Sequence, residues 1–260
     1  MQVEKAERSA GAARRQAGRP RLLPGLAVGD GFMRHPFDAE HGVRTSGLIA
    51  GRNLKSGHRH DRHATAYYGV APSVFHALLR RWQRTKPAAP LGEFTFIDIG
   101  AGMGRALLLA AEMPFRDVVG VELNPGLVRI ARRNLALWRA AGQVRTSTRV
   151  VCKDAAEFKF PSNPCLAFLF NPFGAPVMRK FLKALAADFT GRAGLLDLVY
   201  VNNEQEAVIG RQPGFTRLYL GKIRRSRADA IADHAIMANQ PDGEYASANH
   251  EDCSIWRWTG

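Results

Sequence analysis

The stretch Phe94–Ala111, FTFIDIGAGMGRALLLAA, constrains the fold more than any other part of the chain. Phe94, Phe96, Ile97 and Ile99 form a short apolar run of β-formers, which suits a central parallel strand covered on both faces. Gly100, Gly102 and Gly104 follow, separated by single residues, and then Ala106, Leu107, Leu108, Leu109, Ala110 and Ala111 read as a buried helix. A chain leaving a buried strand for a helix must turn sharply. Glycine permits the turn and lets the backbone approach a ligand that a Cβ would hold off. The start of the helix adds unpaired N–H groups and a positive dipole end, a natural seat for a carboxylate or phosphate.

The spacing narrows the ligand. A dinucleotide fingerprint reads G-x-G-x-x-G; here the third glycine arrives one residue early and Arg105 holds its place. Asp98 sits two residues before the first glycine. The pattern D-x-G-x-G-x-G resembles motif I of the class I S-adenosylmethionine-dependent methyltransferases. The resemblance implies that Gly100, Ala101, Gly102 and Gly104 wrap the methionine end of S-adenosylmethionine, and that Asp98 helps hold its ammonium group.

Further along, Val118–Val121 reads as a second buried strand ending in Glu122. An acid at this place, beyond the glycine turn, can accept both ribose hydroxyls of an adenosine cofactor, with Leu123 beside it. The competing reading is a surface acid on a loop. Asn124 as cap and Pro125 as first residue of the next helix argue against it. Val150–Cys152 is the core of a third strand, followed by Asp154 and Ala155. In the family an acid at this place accepts from the adenine amino group; standing alone, Asp154 would read as a turn or cap residue.

The fourth strand, Cys165–Phe170, ends in Asn171-Pro172-Phe173-Gly174. Ligands of doubly wound sheets bind at the carboxyl ends of strands. The sequence resembles the Asn-Pro-Pro-aromatic motif of amino-directed methyltransferases, with one proline fewer than the nucleic-acid N-methylases carry. It is similar too to the Asn-aromatic motif of histone lysine methyltransferases that lack a SET domain. The resemblance makes Asn171, Pro172 and Phe173 the catalytic positions: the Asn side chain and the next carbonyl accept from a target amine, and the aromatic packs against a planar target. The plainer reading is a tight turn, which Asn, Pro and Gly all favour.

Val74, Phe75, Leu78, Leu79 and Trp82 place an amphipathic helix over 72–84, opened by Pro72 and leading into the first strand. A second covers Pro176–Ala187. Leu195–Val201 is a fifth strand with Asn202 and Asn203 at its end, and Phe215–Leu220 with Ile255–Trp258 reads as a closing antiparallel pair. The polar stretch 226–252 reads as a less ordered surface insertion. The expected fold is α/β: a three-layer sandwich, Rossmann-like, with a seven-stranded, mostly parallel sheet and an antiparallel last strand. Residues 1–32 form a disordered basic tail, 33–92 an N-terminal loop and lead-in helix, and 93–260 the methyltransferase domain.

Within 33–92, F-D-A-E-H-G-V-R-T-S-G over residues 37–47 resembles the leader of a group of bacterial methyltransferase-like proteins, mostly of unassigned substrate. Its residues read only as a loop covering a pocket. Tyr67 and Tyr68 divide evenly between lining the cofactor mouth and plain packing. His58, His60 and His63 within GHRHDRH read as a solvated loop, because Lys55, Arg59 and Arg62 oppose a cation; no metal is expected.

At 260 residues, 46% of them hydrophobic, the chain can bury a sizeable core. Its formal charge of +14 admits a nucleic-acid partner, though a basic tail and an arginine-rich composition account for it as well. No apolar run is long enough for a membrane span, and none resembles a signal peptide. Three cysteines, Cys152, Cys165 and Cys253, make no paired framework, which fits a cytoplasmic location. The leading expectation is direct methyl transfer from S-adenosylmethionine to an amine, of a protein or a nucleic acid. Two others stand beside it. One is a catalytically silent nucleic-acid-binding protein on the same fold. The other is a nicotinamide oxidoreductase, which the early third glycine opposes.

Overall fold

The computed structural model describes residues 28–29, 32–239 and 247–260. The expected tail over 1–32 falls almost wholly outside them, as do residues 240–246 of the expected insertion. Seven strands build the main sheet: β1 Thr95–Ile99, β2 Asp117–Glu122, β3 Ser147–Cys152, β4 Cys165–Phe170, β5 Leu196–Val201, β6 Phe215–Arg224 and β7 His250–Trp258. Their order across the sheet is β6-β7-β5-β4-β1-β2-β3. The five strands from β1 to β5 pair in parallel. β7 runs antiparallel to both neighbours, β5 and β6, and so lies one strand in from the edge. This is the α/β fold expected from the sequence.

The helices are α1 Pro36–His41, α2 Pro72–Gln83, α3 Arg105–Ala111, α4 Pro125–Ala140, α5 Ala175–Asp188, α6 Glu206–Gly210 and α7 Arg227–Ala238. The layering follows from the period of the strands. Phe96 and Phe168 face one side, joining Phe75, Leu78, Leu107 and Trp138 from α2, α3 and α4. Ile97, Ile99, Ala167 and Leu169 face the other, joining Val177, Phe181, Leu182 and Leu185 of α5. Successive side chains point to opposite faces, so a strand covered on both must be apolar throughout. All five residues of β1 are accordingly buried. From β1 the chain steps outward to β2 and β3, then returns to β4 on the other side. The crevice between the carboxyl ends of β1 and β4 is therefore the topological switch point, where open α/β sheets bind ligands. Among the described residues no helix is long and apolar enough to cross a membrane.

Two segments differ from expectation. The stretch 226–252 is not a loose insertion where it is described. Ser226 caps α7 through the Asp229 amide, and Asp229, Ala232, Asp233 and Ile236 are buried. The polar composition conceals this because the buried aspartates are paired across long sequence distances. Asp229 accepts from the Ser73 amide at 2.9 Å, and Asp233 takes the Tyr68 hydroxyl and the Arg225 guanidinium.

The leader 37–47, expected as a loop covering a pocket, is a hydrogen-bonded anchor, and none of its residues lines the clefts described below. Asp38 is fully buried and accepts from the amides of Thr45 and Ser46 at 2.6 and 2.7 Å and from both their hydroxyls. Arg105, the first residue of α3, is 2% exposed and lies 3.7 Å from Asp38. It donates to Thr45 Oγ1, Ser46 Oγ and the Gly69 carbonyl. The arginine in the third-glycine place thus fastens the leader to the helix that follows the glycine turn. Removing one partner of a buried pair strands the other charge, which costs about 3–5 kcal/mol. Asp38→Ala should lower the unfolding free energy in urea by that order; a change within the noise of the measurement would refute the anchor.

Candidate active site

A cleft of about 1000 Å³, counting the space at its open mouth, lies at the switch point. Asp98, Gly100, Ala101, Gly102, Glu122, Leu123, Asp154, Ala155, Pro172 and Phe173 all line it. Two expected site residues do not. Gly104, with φ of +92°, is the cap of α3, and a Cβ there would come within 3.3 Å of Ala131 in α4. Its place serves helix packing. Asn171 lines a neighbouring cleft.

The glycine turn is set by what crowds it. Gly100 has φ of +74°, and a Cβ there would stand 2.5 Å from Cβ of Pro172. Gly102 has φ of +53°, and a Cβ there would enter the Tyr67 ring. That ring is pinned from behind, because the Tyr67 hydroxyl donates to the Thr45 carbonyl at 2.7 Å. Tyr67 and Tyr68 both line the cleft and both pack as well, Tyr67 with Met103 and Leu127 and Tyr68 against Met33, Ala232 and Ile236.

Glu122 is held by both oxygens. Oε2 accepts from the Gly102 amide at 2.8 Å and Oε1 from the Asn124 amide at 2.7 Å. Asn124 in turn caps α4 through the amides of Gly126 and Leu127, as its sequence position foretold. The carboxylate therefore ties β2 to the glycine turn with lone pairs left over on each oxygen. Asp98 is 4% exposed. Burial, and then the charge of Glu122, push its carboxyl up to about 8. Burial also raises Glu122, against the pull of its amide donors. Two buried carboxyls side by side can accept from hydroxyl donors or face a cation.

Asp154 caps the short helical turn Ala155–Glu157 through the Ala156 amide. Its partner overturns the solvated-loop reading of GHRHDRH. His60 is 6% exposed, and its Nδ1 lies 2.7 Å from Asp154 Oδ2. His58 Nε2 is 3.9 Å from the same oxygen. Among the described residues His58, His60 and Asp154 are the trio whose ligand atoms lie close enough together for a metal ion. Their outer partners oppose that use. His60 Nε2 sits 3.1 Å from Lys180 Nζ, and because an ammonium can only donate, the matching tautomer carries the ring proton on Nδ1. His58 Nδ1 accepts the His60 amide, which places its proton on Nε2. Both inner nitrogens then carry hydrogen, and an ammonium group stands behind one of them. Burial lowers the His60 pKa, which favours the neutral ring. The result is a chain of contacts, Lys180 to His60 to Asp154. No sequence spacing could have announced it, since the three residues come from separate elements.

Asn171 has φ of +40° and is 6% exposed. Its Oδ1 accepts from the Tyr200 hydroxyl at 3.1 Å, while its carbonyl accepts from Thr65 Oγ1. Phe173 bridges to Ala64 and packs on Phe181. The segment 60–68 thus closes over the Asn-Pro-Phe-Gly turn. Of the cysteines, Cys165 and Cys253 are buried and Cys152 is exposed; none is in a disulfide.

No protein-family model matches the chain, and no curated protein matches it. Solved structures similar in fold include precorrin-6y C5,15-methyltransferase of Geobacter metallireducens GS-15. It is 18% identical over 77% of this chain and 94% of that one, with a TM-score of 0.49. Magnesium protoporphyrin IX methyltransferase of Synechocystis PCC 6803, solved with bound SAM (S-adenosylmethionine), is 12% identical over 72% and 78%, with a TM-score of 0.45. TrmN of Thermus thermophilus is 19% identical over 73% of this chain and 49% of its own length, with a TM-score of 0.47.

The raised carboxyl of Asp98 has a measurable sign. Its folded pKa of about 8 exceeds the ordinary 3.8, so the fold favours the neutral acid. Its contribution to stability is complete below about pH 4 and is lost as pH climbs to about 8. Asn at this place is neutral throughout. Between pH 5 and pH 8 the urea stability of Asp98→Asn should gain on the wild type by a few kcal/mol, at about 1.4 kcal/mol per pKa unit. A difference independent of pH would refute the shift.

Proposed function

We propose that the chain is an S-adenosylmethionine-dependent methyltransferase of the class I type, acting by direct transfer to an amine. The observation that carries this reading is the convergence on one cleft of Asp98, the Gly100–Gly102 turn, Glu122 and Asp154, in the order the family uses them. Their chemistry fits the group. Glu122 has spare lone pairs for two vicinal ribose hydroxyls, Asp154 has acceptor capacity for an exocyclic amine, and Asp98 offers a carboxylate to an ammonium. The bare Gly100 and Gly102 let the backbone come close.

When bound, S-adenosylmethionine supplies a methyl group on a sulfonium, already a good leaving group. The protein has then to orient the acceptor and exclude water. Leu127, Phe170 and Phe173 supply apolar walls. Asp98 gives up its proton when an ammonium sits against it. Asn171 orients the acceptor from the end of β4, its carboxamide locked by Tyr200, while Pro172 and Phe173 form the floor beside the reacting atoms.

Calorimetric titration should give micromolar binding of S-adenosylmethionine and S-adenosylhomocysteine and none of NAD. Heats measured at pH 7 in buffers of different ionisation enthalpy should report proton release that disappears in Asp98→Asn. Tight NAD binding without the other two would sink the reading. Gly102→Val, which drives a side chain into Tyr67, should weaken the cofactor about a hundredfold or more. Asn171→Ala should keep cofactor affinity and lose about a hundredfold in turnover; full turnover would remove Asn171 from the mechanism.

A further inference from the structure

The charge of the chain is unevenly placed. Residues 1–32 hold six Lys and Arg against three acids, so the tail accounts for three of the fourteen net charges. Residues 123–153 hold seven Lys and Arg and no Asp or Glu. This segment comprises α4, the loop after it and β3, the last strand at its end of the sheet. Arg129, Arg132, Arg133 and Arg139 are exposed on α4, and Arg149 and Lys153 on and just beyond β3. None of these six has an ion pair among the described residues. Arg145, in the loop between, lies near Glu112.

Two of the arginines have a task in the fold. Arg132 donates to the Val150 carbonyl at 3.1 Å, and Arg139 donates to the Thr148 carbonyl. They occupy backbone acceptors of an edge strand that would otherwise be open to another chain. A carbonyl leaves the guanidinium charge uncancelled and most of its five N–H donors unspent. No such bond is made by the side chains of Arg129, Arg133 or Arg149 among the described residues. The face meets the cleft at the switch point from both ends of the segment. Leu123, Asn124 and Leu127, around the start of α4, line that cleft, and so does Lys153. A polyanion drawn to this face is thereby brought to the mouth of the cleft.

We propose that the methyl acceptor is an unpaired base of an RNA whose phosphates lie along α4 and β3. The proposal rests on the methyl-transfer reading above. A nucleic acid brings together the row of phosphates that uncancelled guanidiniums attract and the planar amine expected beside Phe173. An anionic membrane supplies the charge without the amine, and α4 exposes one large apolar side chain, Leu137, too little to insert. A base stacked and paired in a duplex cannot enter a cleft, whereas folded RNA presents unpaired bases in its loops. In the step, the lone pair of the base nitrogen forms the N–CH3 bond as the C–S bond breaks. The C–S electron pair stays on sulfur, leaving a neutral thioether, and the nitrogen passes one proton to solvent.

The test uses the full chain and, as probe, total RNA from cells lacking the protein. Two triple variants are compared. Arg129→Gln/Arg133→Gln/Arg149→Gln empties the face, while Arg84→Gln/Lys183→Gln/Arg211→Gln removes three exposed cations from other elements. The first should weaken RNA binding roughly tenfold and flatten the slope of log K against log salt by about two, at ~0.7 per phosphate contact on a single strand. The second should leave both nearly unchanged, and both variants should bind S-adenosylmethionine as the wild type does. Label from methyl-labelled S-adenosylmethionine should enter the RNA. Equal weakening by the two triples would overturn the proposal. So would tighter binding of duplex DNA or of phosphatidylserine vesicles than of RNA, or no label on RNA from protein that binds both RNA and cofactor. Failure of the wild type to bind the cofactor would instead overturn the reading beneath it, and the two triples would still decide the surface.

Discussion

Three separate segments meet within less than the width of a methyl group at the end of β1, and the site depends on that crowding. Gly100 lies against Pro172 and Gly102 against the Tyr67 ring, so the turn after β4 and the N-terminal segment both close on the same few atoms of backbone. Only glycine fits there, for reasons of space and of left-handed φ together. The crowding has a chemical result. It brings the Gly102 amide onto Glu122 and so locks the end of β2 to the turn. One steric condition therefore positions a carboxylate, a run of free backbone and an aromatic wall around a single cleft.

Burying polar groups this densely is costly unless each is matched. The protein meets the condition in two ways. Asp38 is satisfied by amides, hydroxyls and Arg105 at once, and Asp197 by the Trp82 indole and the Nε and Nη2 of Arg257. These are structural. Asp98 and Glu122 are different, since one carboxyl is kept near neutrality by burial beside the other. That is an arrangement a cationic ligand would relieve.

The regular elements were legible because each has a local signature. Continuous apolar runs marked β1, β2, β4 and β5, and the Asn124-Pro125 and Pro72 starts marked α4 and α2, with ends within about two residues of those observed. The helix α7 was missed because the partners that make Asp229 and Asp233 tolerable inside, Ser73, Tyr68 and Arg225, include residues some 150 positions away. The leader motif was recognised by resemblance without a cause; its cause, the Asp38–Arg105 contact, spans 67 residues and leaves no periodic trace. His60 was assigned to solvent on the strength of its basic neighbours, yet Asp154 and Lys180 enclose it.

By itself the sequence determined the order of the main sheet's strands, the helices α2 to α5 between them, the glycine turn and the succession of acids at Asp98, Glu122 and Asp154. Those depend on hydrophobic period, on glycine and proline stereochemistry and on chain order, all of which are local. Tertiary structure alone decided that Asn171 lines a second cleft and that Gly104 packs a helix. Those depend on which distant side chains share a low-dielectric space, and neither composition nor spacing encodes that.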